Sequence, residues 1–176
     1  IDNRVLEIGV HVHTEDVPDE GEGHGHGLRE NSSAILAELY NNASLKQYMR
    51  NRIEDNINDF QAHLQLGIVL FKEENFEEAK ASLEFAHDLL PSYTGYPSPA
   101  LVLSQIFEKQ GNKRMQLQWL EVLLNNLQHD YESALVLAEA SLEEGELERA
   151  NYYIDRALEV DPYRNEVHEL KARYAE

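Results

Sequence analysis

Three stretches of the chain, 60–91, 97–128 and 131–162, align with one another as blocks of 32 residues, offset by 37 and then 34 positions. A period of this size describes one supersecondary unit whose apolar face can be buried only by a neighbouring copy, so the repeat constrains the fold more than any single motif does. Counting from Phe60, the first block places Leu66 and Gly67 seventh and eighth, Leu70 eleventh, Ala79 twentieth, Leu83 twenty-fourth, Ala86 twenty-seventh and Pro91 thirty-second. The third block holds Leu137, Ala138, Ser141, Ala150, Ile154, Ala157 and Pro162 at the same places. Small residues recur where two helices must approach closely, and the closing proline stops the second helix. The middle block departs from this pattern: it has Leu103, Ser104, Phe107 and Leu120, but Gln116, Leu123 and Gln128 replace two small residues and the proline. Each block reads as two amphipathic helices broken at Glu74-Asn75, Gly111-Asn112 or Gly145.

At Leu66-Gly67, Ala79, Ala86 and Pro91, and again at Ala138, Ala150, Ala157 and the Glu159-Val160-Asp161-Pro162 ending, the chain resembles the tetratricopeptide repeat family. The resemblance runs from Phe60 to the C-terminus. Residues 165–176 look like the first helix of a further repeat, with His168 and Ala172 where His63 and Gly67 stand in the first block. The resemblance implies an all-α fold, a right-handed solenoid of helical hairpins whose concave face is lined by the first helix of each pair. It also implies a peptide groove. The corresponding positions here include Leu64, Ile68 and Phe71 in the first block, Leu101, Val102 and Gln105 in the second, and Glu132, Leu135, Val136, Glu139 and Glu143 in the third. Family members that grip the C-terminal carboxylate of chaperone partners carry Lys, Arg and Asn at several of these places. Leu64, Ile68, Val102, Glu132 and Val136 argue against that ligand class and for an apolar or basic helix or peptide.

Ahead of the repeats, the expected organisation is an extended arm and acidic linker over 1–30, then a helical hairpin over 31–58 with Ser32 or Ser33 as N-cap and a joint at Asn41-Asn42. The second helix of that hairpin would carry Leu45, Tyr48, Met49, Ile53 and Ile57 on one stripe. Repeats would then occupy 59–96 with an insertion, 97–130 and 131–164, with a capping helix over 165–176. Within the arm, Val5 to His13 is rich in β-branched residues and reads as one strand, which would have to pair with another domain or another copy of the chain. His11 and His13 would share a strand face, and with His24, His26 and nearby carboxylates they are candidate ligands for Zn, Ni or Cu. The competing reading, and the favoured one, is a polar linker with incidental histidines.

With 15 Lys and Arg against 33 Asp and Glu, the net charge of −18 repels nucleic-acid phosphate and anionic lipid. The chain has no cysteine, which removes thiolate metal sites and thiol nucleophiles and leaves the compartment undecided between cytoplasm and periplasm. No apolar run approaches the ~20 residues of a membrane span. His-Glu-x-x-His, Gly-x-Ser-x-Gly and Walker-type motifs are absent. The reading that follows is a non-catalytic scaffold that binds a peptide or helix of a partner protein. Two alternatives stay open at this point. One is a C-terminal appendage of a larger, metal-dependent enzyme, since a start at Ile1 suggests a piece of a longer chain. The other is a self-assembly module in which the arm joins a neighbouring copy.

Overall fold

The computed structural model describes the backbone of residues 26–126 and 130–174 and the side chains of 41–126 and 130–173. The chain divides into two units, Ile1–Ala37 and Glu38–Glu176. Among the described residues every element is a helix. These are α1 (His26–Asp55), α2 (Phe60–Lys72), α3 (Phe76–Leu89), α4 (Pro99–Lys109), α5 (Lys113–Asn126), α6 (Tyr131–Glu143), α7 (Leu147–Val160) and α8 (Asn165–Tyr174). The expected arm and strand and the acidic linker up to residue 25, and with them His11, His13 and His24, lie outside the described residues, whereas 26–30, expected as linker, form the first turns of α1.

Within the second unit, α2 packs on α3, α4 on α5 and α6 on α7, and each second helix packs on the first helix of the following pair. The sequence explains why each pair closes. Ala79, Ala86, Ala138, Ala150 and Ala157 are all fully buried, so the helices cross over methyl groups. At Gly67 the approach is closer still. A Cβ added there would sit 2.5 Å from Leu83 Cγ, so only a residue without a side chain fits.

The three turns inside the pairs share one geometry. Glu74, Gly111 and Gly145 occupy equivalent places and all adopt left-handed backbone, with φ of 60°, 68° and 75°. At each turn the next amide reaches back five residues: Asn75 N donates to Leu70 O at 2.9 Å, Asn112 N to Phe107 O at 2.9 Å and Glu146 N to Ser141 O at 2.8 Å. This is the Schellman closure, which satisfies carbonyls that the helix end would leave without partners. Helix starts are capped by side chains: Asp59 accepts from Ala62 N at 3.0 Å, Ser98 from Leu101 N at 3.2 Å and Asp130 from Ser133 N at 3.3 Å.

Two cores run through the stack. The first joins Met49 of α1 to Leu64, Leu70, Leu83, Leu103 and Ile106. The second joins Leu123, Leu137, Ile154, Val167 and Leu170. Trp119 packs against both.

The N-terminal hairpin is corrected by the structure. Asn41 and Asn42 do not turn the chain; they lie inside one helix that starts at His26 and not at Ser32 or Ser33. Asn is only a moderately poor helix former, and no Gly or Pro stands near it to break the pattern. From the expected stripe, Leu45, Met49 and Ile53 reach the core, while Tyr48 and Ile57 are exposed. The C-terminal half of α1 is held to the repeats by Lys46–Glu73 and Arg50–Glu78 ion pairs, and Arg52 makes two hydrogen bonds to the Asp59 carboxylate, at 2.9 and 3.0 Å.

Candidate functional site

The first helices α2, α4, α6 and α8 define one face of the stack, and their spacing is uneven. The backbones of α2 and α4 run close to each other, as do those of α6 and α8, whereas those of α4 and α6 stand further apart. Between them lies an open cleft of about 320 Å³. Its α4 wall is Leu101, Ser104, Gln105 and Glu108, and its α6 wall is Glu132, Ser133 and Val136 with the capping Asp130. Gln116 and Leu120 of α5 also line it, and so does Tyr96, 84% exposed, from the segment before α4.

The two serine hydroxyls of the cleft are held in place by hydrogen bonds that consume their protons. Ser104, 2% exposed, donates its hydroxyl to Leu101 O at 2.7 Å. Ser133, 3% exposed, donates its hydroxyl to Asp130 Oδ2 at 3.0 Å. Glu132 accepts from Arg164 at 2.7 Å through Oε1. Arg164 also reaches Glu166 Oε1 at 3.2 Å and lies 4.2 Å from the centre of the Tyr131 ring. The hydrogen bond to Glu132, followed by that to Glu166, raises the guanidinium pKa further above its ordinary value. Burial pushes the Tyr131 hydroxyl up. Glu108, exposed at the last turn of α4, has no ion-pair partner among the described residues.

Of the groove residues expected from the sequence, Leu101, Gln105, Glu132 and Val136 come together in this cleft. Leu64 and Val102 do not face an open groove. They are 2% and 3% exposed and share one core cluster, because adjacent first helices also pack against each other where α2 meets α4. Ile68 and Phe71 are half-buried against that same core, and Leu135 is half-buried against the other. Glu139 is exposed, and Glu143 is ion-paired with Lys113 of α5, which lowers the pKa of the Glu143 carboxyl and raises that of the Lys113 ammonium. His26 opens α1. Among the described residues no three His, Asp or Glu side chains gather as a metal site would require.

Of the remaining lining, Glu108 also stands at a groove position of the second block, while the other residues were not anticipated as a site. Ser133 and Asp130 belong to a helix cap, Leu120 to the core pattern and Tyr96 to the inserted loop. Gln116 did carry a signal, since it replaces the small residue found at Ala79 and Ala150.

A stack of helical hairpins closed by small residues at fixed places, with a cleft between two first helices, is a helical-repeat fold of the tetratricopeptide type. Solved structures share that fold. A MamA double mutant from RS-1 matches with a TM-score of 0.57 at 17% identity, over 85% of this chain and 83% of that one. MamA from residue 41 to its end, from Desulfovibrio magneticus RS-1, gives 0.56 at 18% identity over 85% and 83%. YrrB, a tetratricopeptide-repeat protein with an unusual peptide-binding site, gives 0.59 at 18% identity over 82% and 74%. No protein-family model matches the chain, and no curated protein matches it. Among the described residues no helix is long and apolar enough to cross a membrane.

Proposed function

We propose that the protein is a non-catalytic interaction scaffold that binds a peptide or helix of a partner protein along the face formed by α4 and α6. The observation that carries this reading is the cleft itself. A rigid stack holds it open, Leu101, Leu120 and Val136 supply apolar surface, and carboxylates stand at its edge. Peptide binding by YrrB, a protein of the same fold, supports the class of function. The partner implied is a protein segment with apolar and positively charged residues. With a net charge of −18, association would be steered by that charge and would weaken as salt rises.

The test is a selection of random dodecapeptides displayed on phage, followed by mapping of the bound site through backbone amide shifts. Selected peptides should perturb α4 and α6. The triple substitution Glu132→Lys, Glu139→Lys, Glu143→Lys should weaken them while leaving the helical circular dichroism signal unchanged, because the ion pairs that Glu132 and Glu143 make with Arg164 and Lys113 are exposed and contribute little to folding. Peptides that bind wild type and triple variant equally, or that map away from these helices, would overturn the reading.

A further inference from the structure

We infer that the cleft between α4 and α6 is a receptor for a single arginine side chain of the bound peptide, an assignment that rests on the scaffold reading above. The argument starts from proton accounting. Both buried hydroxyls in the cleft spend their only proton inside the protein, Ser104 on Leu101 O and Ser133 on Asp130 Oδ2. What each hydroxyl turns toward an occupant is therefore lone pairs. The carboxylates of Glu108 and Glu132 are acceptors as well, that of Asp130 already accepts from Ser133, and among the described residues no Lys, Arg or His lines the cleft. The donors of the cleft are the side-chain amides of Gln105 and Gln116 and the hydroxyl of Tyr96, and each of these groups brings an acceptor with it. A group rich in donors and poor in acceptors fits this lining, and a cation fits it best.

Charge and shape narrow the class. Glu108 has no ion-pair partner among the described residues, and Glu132 gives only its Oε1 to Arg164, so two carboxylates on opposite walls retain accepting capacity. Acceptors on two sides suit the planar, five-donor guanidinium better than the compact ammonium of lysine, and the guanidinium is the more weakly hydrated of the two. Leu101, Leu120 and Val136 offer an apolar surface for the alkyl stem. The cleft, at about 320 Å³, is of the size that accommodates one such side chain with room for water. An anionic or purely apolar side chain would leave the serine oxygens and both carboxylates facing it without donors.

The test uses a dodecapeptide from the phage selection, synthesised with each arginine in turn, then changed to citrulline, which keeps the shape and removes the charge, or to lysine. Binding is measured by isothermal titration to the full chain, and amide shifts of Ser104 and Ser133 report occupancy. One arginine should stand out: its citrulline form should bind about tenfold more weakly, with lysine in between. In the Glu108→Gln variant, whose side chain makes no ion pair that folding would miss, that discrimination should shrink severalfold. Peptides that bind the α4 and α6 face without an arginine, or whose citrulline forms bind as well, would sink the arginine assignment and leave the scaffold reading standing. Failure to select any peptide for this face would overturn both.

Discussion

Gly67 offers a sharp test of how tightly the first pair of helices is closed. It lies in the middle of α2, where alanine would ordinarily be the better residue by about 0.8–1 kcal/mol of helix propensity. The structure opposes that gain. The new methyl would stand 2.5 Å from Leu83 Cγ and 2.8 Å from its Cδ2, about an ångström inside the contact distance of two carbons. Leu83 is fully buried, so its branch point has no open space to move into. Forcing a methylene into such a site costs roughly 1–3 kcal/mol. The net expectation for Gly67→Ala is a loss of about 1 kcal/mol.

A double-mutant cycle separates the two effects. In a Leu83→Ala background, itself costing about 2–5 kcal/mol, the obstructing carbons are gone and only the propensity gain remains. There Gly67→Ala should stabilise by about 1 kcal/mol, so the same substitution changes sign and the coupling is about 2 kcal/mol. Urea titrations followed by circular dichroism at constant m report both numbers. Stabilisation of the wild-type chain by Gly67→Ala, or an equal loss in both backgrounds, would show that the glycine is not required by helix approach.

Three further expectations come from the same packing. Ala150→Leu should overpack the α6–α7 crossing, where Ala150 is fully buried, and cost ~1–3 kcal/mol in urea titration. Glu74 holds the left-handed position that Gly111 and Gly145 fill elsewhere, so Glu74→Gly should raise the denaturation midpoint by about 0.5–1 kcal/mol equivalent, while Gly145→Ala should lower it by about 1. The Asp59 carboxyl is held below its ordinary 3.8, first by the Ala62 amide and then by Arg52, so the stability it contributes is present above that value and lost as pH falls through the lowered one. Asp59→Ala should therefore cost about 1 kcal/mol at neutral pH, a difference that closes progressively as pH falls below 3.8 and through the lowered pKa when the two proteins are titrated with urea side by side.

The repeat was legible because its markers are set by backbone geometry. A methyl or hydrogen is the only thing that fits at Gly67, Ala79, Ala86, Ala138, Ala150 and Ala157, so those places stand out in a bare alignment of the chain with itself. The joint expected at Asn41-Asn42 failed for the opposite reason. Weak propensity at two residues is outweighed by tertiary contacts further along α1, where Leu45, Met49 and Ile53 dock on the core. The groove was half legible. Helical spacing puts Leu64, Leu101 and Leu135 on one face, but it cannot tell which first helices press on each other, and that contact decides that Leu64 is buried while Leu101 borders open space. Ser104 and Ser133 were visible only as small residue and cap neighbour, since the direction of a hydroxyl proton is a property of the fold.

The position of the cleft then has a physical logic. In a regular array every first helix would meet the next in the same way, as α2 meets α4 and α6 meets α8. The exception falls beside the middle block, which carries Gln116 in place of a small residue and Leu123 in place of another. Leu123 is absorbed into the core, 1% exposed, whereas Gln116 remains at the cleft. Where the period is broken, apolar surface stays uncovered and polar groups keep unused acceptors, and both conditions favour a ligand over water. The same departures that weaken the repeat as a sequence pattern thus mark the place where the stack has surface left to offer a partner.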